Sequence, residues 1–308
     1  MRMITLRPNS VLILVTLVVI LTSNTLYAQM QSRREVYDSL LVGDRITPAV
    51  SSVMMPKSYT EVILSNILLT TNSYFTVDRV LLDISQRYSY LFNTLQVTHG
   101  ISSSGRFNVG LDLSYRTGRQ DIDPESSPLK VIGNSDEGLI QYERALTSVG
   151  IRARYIPFGG NANFVIQNTF TIPFSTSSSD NIFLGDNRYA FNTQLLYNHL
   201  LGRKVFLFGQ LDVLVRFKND YANTEITSPV NVYASYLLNK HLFPFALIGM
   251  SNNWDRDFDH MSQSFTYGVG LQYQFTSMFT INTFYNDIFA GENSNRWKGF
   301  NLGIRAVL

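Results

Sequence analysis

The chain has 308 residues, with 25 basic residues against 23 acidic ones and no cysteine. A charge so close to balance gives no bulk attraction for nucleic acid, so nucleic acid is not an expected partner. The missing thiols exclude a disulfide scaffold, a thiolate metal site and a lipidated cysteine anchor.

At the start, Arg2 and Arg7 precede the apolar run VLILVTLVVIL (residues 11–21), and a polar stretch then leads to Tyr27-Ala28-Gln29. A basic opening, an apolar run shorter than a spanning helix and a small residue before a cut describe a secretory signal peptide. Residues 1–28 are therefore expected to be removed after Ala28. Cleavage takes away two arginines and leaves 23 basic and 23 acidic residues. No later segment is as long and as apolar, so the mature chain is expected to cross no membrane as a helix.

Residues 29–56 form a lead-in, periplasmic or lumenal. SRREVYDSLL (residues 32–41) has the pattern of a short amphipathic helix, and GDRITPAVSSVMMP reads as a flexible connection.

From residue 57 onward the pattern changes to strands. Residues 58–70 and 81–99 are apolar on both faces in places, which leaves their register open and predicts a bulge. FNVGLDLSYR (107–116) alternates cleanly: Phe107, Val109, Leu111, Leu113 and Tyr115 on one face, Asn108, Gly110, Asp112, Ser114 and Arg116 on the other. SVGIRARY (148–155) and VFLFGQLDVLVRF (205–217) repeat this, and strands are also expected near 162–173, 188–199, 230–238, 242–250 and 278–286. FTYGVGLQYQF (265–275) is the clearest case, with large apolar side chains opposed to Thr, Gly and Gln. The last strand, 300–308, runs to the final residue and resembles the C-terminal signal read by barrel-insertion machinery.

Side chains on a strand alternate between two faces. Segments of about ten residues suit a tilted strand crossing a bilayer. The expected fold is therefore all-β: a transmembrane antiparallel up-and-down β-barrel of about 12 strands over residues 57–308. Connections alternate between short (101–105, 158–161, 200–204, 239–241, 276–277) and long (117–145, 174–187, 218–229, 251–263, 287–298). Outer-membrane barrels sort their turns and loops in this way. Aromatics at two levels, Tyr115, Phe170, Tyr189, Phe217, Phe265, Tyr267 and Tyr285 above and Phe107, Tyr155, Tyr197, Tyr236, Phe243, Tyr273, Phe275 and Phe279 below, fit two interfacial girdles. Location in the outer membrane follows, with its lipid and lipopolysaccharide as surroundings.

The polar face then lines a lumen. Arg116, Arg152, Arg154, Arg216 and Arg305, with Asp112 and Asp212, are the candidate pore-lining charges. An excess of arginine would bias a passive channel for small solutes towards anions. Alternatively, these groups pair with one another and with amides to fill a narrow interior, or the longest loop (117–145) folds inward. That loop also supports another function, a structural or adhesive barrel presenting its loops to a partner.

An enzyme is not the expected reading. His260-Met261-Ser262 has the spacing of a lipid-acting hydrolase, but nucleophile activation needs an oriented imidazole and not spacing alone. His99, His199 and His241 fall near separate turns. DRDFD (255–259) reads as a solvated acidic loop, so no cofactor and no metal is expected.

RITPAVSSVMMPKSYTEV (45–62) and RFNVGLDLSYR (106–116) resemble segments of an outer-membrane transporter family described under the MetA pathway of phenol degradation. The resemblance implies a small transporter-type barrel and no catalytic residues.

Overall fold

The computed structural model describes residues 53–133, 137–158, 163–175, 183–185 and 187–308. The signal peptide and the helix expected at 32–41 lie outside them.

Thirteen strands form one antiparallel sheet. They are β1 (Thr60–Phe75), β2 (Leu81–Gly100), β3 (Phe107–Asp121), β4 (Leu139–Tyr155), β5 (Phe164–Pro173), β6 (Ala190–Leu201) and β7 (Val205–Arg216). Then follow β8 (Glu225–Tyr236), β9 (Leu242–Asp255), β10 (His260–Gln274), β11 (Phe279–Glu292), β12 (Ser294–Asn295) and β13 (Lys298–Val307). β12 is a two-residue step against β1 (Tyr74 opposite Asn295), so twelve strands make the wall. Each pairs with its chain neighbour, and β1 pairs with both β2 and β13. Thr60 and Leu308 exchange backbone hydrogen bonds of 2.9 and 2.8 Å at the seam. Closure leaves no unpaired edge, which a sheet needs when hydrocarbon surrounds it.

Alternation sets the two faces. In β10, Val269 is 56% exposed while Gln272, three residues on, is 2% exposed. Along β13, Phe300 and Leu302 point out and Asn301 points in. Large apolar side chains outside and buried amides inside are the reverse of a water-soluble domain, and they mark the outer wall as the lipid face.

Three features depart from expectation. Phe243, placed above in the periplasmic girdle, is fully buried, and it shares the inner face of β9 with Phe245 and Leu247. β9 is apolar on both faces, so its period cannot choose between them. The register with β10 decides, setting Phe243 opposite Gln272 and Phe245 opposite Gly270. Secondly, the long loops expected at 251–263 and 287–298 are mostly ladder, with β9 and β10 joined by residues 256–259 alone. These strands outrun the bilayer and continue pairing outside it.

The third concerns loop 117–145, whose two ends are strand, β3 running to Asp121 and β4 starting at Leu139. Its remaining tip holds a 3-10 helix, Pro128–Val131. Arg119 and Asp121, buried and paired at 2.7 Å, lie on the face of β3 opposite to Arg116. Arg119 also donates to Glu137 O at 3.1 Å, and Asn72 to Pro124 O at 3.2 Å. The tip therefore packs on the outside of the wall and not in the lumen. The expected irregularity falls on β2 in its ladder with β1: Thr71 stands opposite Tyr88 and Ser73 opposite Asp83, so residues 84–87 face Asn72 alone.

Candidate functional site: the barrel lumen

The lumen is furnished at three levels. Nearest Leu308, Glu61 on β1 accepts from Arg305 Nε at 2.6 Å and lies 3.6 Å from Arg154 Nη1. Register explains the first pair. Arg305 stands opposite Ile63, so Glu61 is its diagonal neighbour on the inner face.

The lead-in enters at this level. Met55 N donates to Asn108 Oδ1 at 2.9 Å, Asn108 Nδ2 donates back to Met55 O at 2.8 Å, and Arg154 Nη1 donates to Val53 O at 3.2 Å. Met54 packs on an inward apolar cluster of Val165, Leu196 and Phe208. Residues 53–55 thus strap the inner mouth.

The middle level is a polar ladder. Arg154, Gln167, Gln194 and Asp212 stand directly opposite one another across β4, β5, β6 and β7. Arg154 Nε donates to Gln167 Oε1 at 2.9 Å, Gln167 bonds Gln194, and Gln194 Nε2 donates to Asp212 Oδ2 at 2.9 Å. Gln210 adds a bond of 2.8 Å to the same oxygen. Beside the ladder, Arg152 and Asp112 pair at 2.5 Å. Directly opposed positions are the closest side-chain neighbours a sheet offers, so the run holds itself rigid across four strands.

At the outer level, Arg216 donates to Thr227 Oγ1 at 3.1 Å and lies 3.4 Å from Glu225, which also pairs with Arg188 at 2.7 Å. The Arg116 guanidinium sits 4.6 Å over the Phe92 ring and donates to Leu184 O at 2.8 Å. Phe183 packs on Tyr90 with ring centroids 5.6 Å apart. Residues 183–185 therefore reach into the outer mouth, the part expected of the longer loop. Below them lies a cavity of about 490 Å³.

All seven candidate pore-lining residues stand on inner-face positions. Arg152 and Asp112 meet each other, Arg154 and Arg305 share Glu61, and Asp212 is held by two glutamines. Arg116 and Arg216 stand apart at the outer cavity. Sequence reasoning missed Glu61, since TEVILSNILL shows apolar residues on both faces; Glu225, because it was assigned to a loop; and the inward Tyr90, Phe92 and Trp297.

The remaining polar candidates have structural partners. Ser262 Oγ accepts from Asn253 Nδ2 at 2.7 Å, and the ladder is irregular between His260 and Ser262. His99, on β2, bonds Thr60 at 2.9 Å, and His241, in the turn before β9, bonds Gln274 O at 2.7 Å. Asp255 Oδ1 accepts from the backbone of Asp257 and Asp259, both at 2.9 Å, which closes the β9–β10 turn. Among the described residues, no three His, Asp or Glu side chains gather as metal ligands.

Known structures place this architecture. The COG4313 outer membrane channel from Pseudomonas putida F1 superposes with a TM-score of 0.64 at 15% identity, covering 85% of this chain and 100% of that one. The β-domain of the Bordetella autotransporter BrkA superposes with a TM-score of 0.53 at 14% identity, covering 80% and 100%. At such identities the likeness establishes fold alone. Comparison with curated proteins found no match. A closed barrel with an apolar outer wall and a polar lumen is an outer-membrane protein in contact with lipid. Residues 147–306, just over half of the sequence and C-terminal to both segments that carry the resemblance noted above, match the family described as "Putative MetA-pathway of phenol degradation", and the chain belongs to that family.

Proposed function

We propose that this protein is a narrow passive channel carrying small solutes across the outer membrane, and that it is not an enzyme. The observation that carries this is the lumen: a wall of arginines, carboxylates and amides runs from Arg305 and Glu61 at one end to Arg216 and Arg116 at the other. A barrel of this size can be filled by its own side chains or leave a path, and wider barrels open to full aqueous channels. Here the polar lining and the outer cavity favour a path, and the fold shared with an outer membrane channel supports it.

Arg116, Arg152, Arg154, Arg216 and Arg305 line that path together with Asp112 and Asp212. Their ion pairs rigidify the wall and moderate its charge, so the bias towards anions is mild. The solute remains a small one set by the lumen's width, and the barrel reaches its membrane through the insertion machinery that reads the final strand.

Single-channel recording of refolded protein in planar bilayers tests the reading. Small, well-resolved steps with anions carrying more than half of the current are expected. A correctly closed barrel that passes no ions even after the lead-in strap is released would overturn it.

A further inference from the structure

The outer cavity joins two chemistries on one ring of the wall. Following the lumen at one height, Phe92 on β2 stands opposite Arg116 on β3, and Ala190 on β6 stands opposite Arg216 on β7. Tyr90, Phe92 and Trp297 supply flat apolar faces on one flank, with Tyr90 and Trp297 centred 5.8 Å apart. Arg116 and Arg216 supply guanidinium groups on the inward wall, and Ser114, Ser148 and Thr171 add hydroxyls between them. The described lining contains no carboxylate. Its volume of about 490 Å³ lies within the range of small-molecule sites, about 300–1,000 Å³.

A simple water-filled vestibule has no need of three aromatic rings facing inward. The rings pack on one another, on Phe183 and under the Arg116 guanidinium, and all three still line the cavity. A simple selectivity ring of charge has no need of them either. Rings offer stacking to a planar apolar body, and a guanidinium fork matches a carboxylate in two parallel hydrogen bonds. Arg116 already holds Leu184 O, and Arg216 holds Thr227 and lies 3.4 Å from Glu225; a guanidinium carries five donors and can bind more than one acceptor at once.

We infer that the outer cavity is a binding site for a small anion with a flat apolar body, the aromatic carboxylates being the fitting class. The inference rests on the lumen being a solute path, and it makes this cavity the step where that path selects. Rings alone would take neutral aromatics, and arginines alone would take any small anion. Only a molecule with both features uses both walls.

Trp297 reports on the site. The chain has two tryptophans, and Trp254→Phe leaves Trp297 as the single emitter. Benzoate is titrated into refolded W254F protein, with acetate and benzyl alcohol as half-matched probes. Benzoate is expected to change the emission saturably, with both comparators weaker by at least about tenfold. Adding Arg116→Gln and Arg216→Gln should weaken benzoate to the level of benzyl alcohol and leave benzyl alcohol unchanged. Arg216→Lys, which keeps charge without the fork, should fall between.

Closure of each variant is checked by the gel-mobility shift of unheated samples. Should the double variant fail to close, Arg216→Lys carries the comparison. Equal affinity for benzoate and benzyl alcohol, equal affinity for benzoate and acetate, or indifference of benzoate to the arginine changes overturns the proposal. Conductance of the same W254F protein separates the two readings. A barrel that conducts but ignores benzoate loses only the site, whereas one that binds benzoate with this selectivity but passes no ions keeps the site and loses the channel.

Discussion

Asn108 and Met55 exchange two hydrogen bonds, Met55 N to Asn108 Oδ1 at 2.9 Å and Asn108 Nδ2 to Met55 O at 2.8 Å. One side chain on β3 thereby grips the backbone of the segment that precedes β1. Asn108 is fully buried and Met55 is 3% exposed. The grip is a local device, since an amide satisfies both polar groups of a residue that has no strand partner there.

Asn108→Ala removes both bonds. The segment then loses about 1–3 kcal/mol of anchoring, and the inner mouth is held open for more of the time. Single-channel recordings should show larger or longer open steps with an unchanged thermal midpoint for the barrel. A variant whose conductance matches the parent would show that the strap does not limit flow.

Glu61 holds two arginines, Arg305 at 2.6 Å and Arg154 at 3.6 Å, in a buried setting. Glu61→Gln leaves both guanidiniums without their carboxylate. Breaking one side of a buried pair costs on the order of 3 kcal/mol, so the urea midpoint of refolded barrel should fall markedly. Arg305→Leu in the Glu61→Gln background should cost much less than Arg305→Leu alone. Additive losses would deny the coupling.

Val269 lies on the lipid face and Gln272 on the lumen face of the same strand. Val269→Arg should destabilise the barrel in bilayers by about 2–4 kcal/mol if the residue sits near the midplane. Gln272→Arg should instead alter ion selectivity. Reversed costs for the two changes would invert the faces.

Gly270 leaves room for inward Phe245. A Cβ at this position would collide with the Phe245 ring and come within 2.5 Å of Phe284 Cβ. Gly270→Val should cost about 1–3 kcal/mol through overpacking, and Phe245→Leu in the same chain should recover part of it. Refolding yield and the urea midpoint measure both.

Legibility in the sequence followed the clarity of each strand's alternation. FTYGVGLQYQF and FNVGLDLSYR have one apolar face each, and every residue of theirs stands where the period of two puts it. TEVILSNILL and FPFALIGM are apolar on both sides. In the first, the period could not single out Glu61; in the second, it misplaced Phe243. Arg152, Arg154, Arg216 and Arg305 were legible as inner-face residues because each interrupts an apolar alternation. Their partners were not legible, because Arg154 meets Glu61 from a strand 93 positions away in sequence.

The order of residues alone determined the class of the fold, the strand count near twelve, the lipid-facing side of the clear strands and the inner arginines. All of these rest on local periodicity, which a chain carries before it folds. Tertiary structure alone decided which carboxylate answers which arginine, that residues 53–55 close the inner mouth, and that residues 183–185 enter the outer one while the longest loop packs outside. Those outcomes depend on barrel closure and register, which bring distant strands to one height, and no stretch of sequence holds that information by itself.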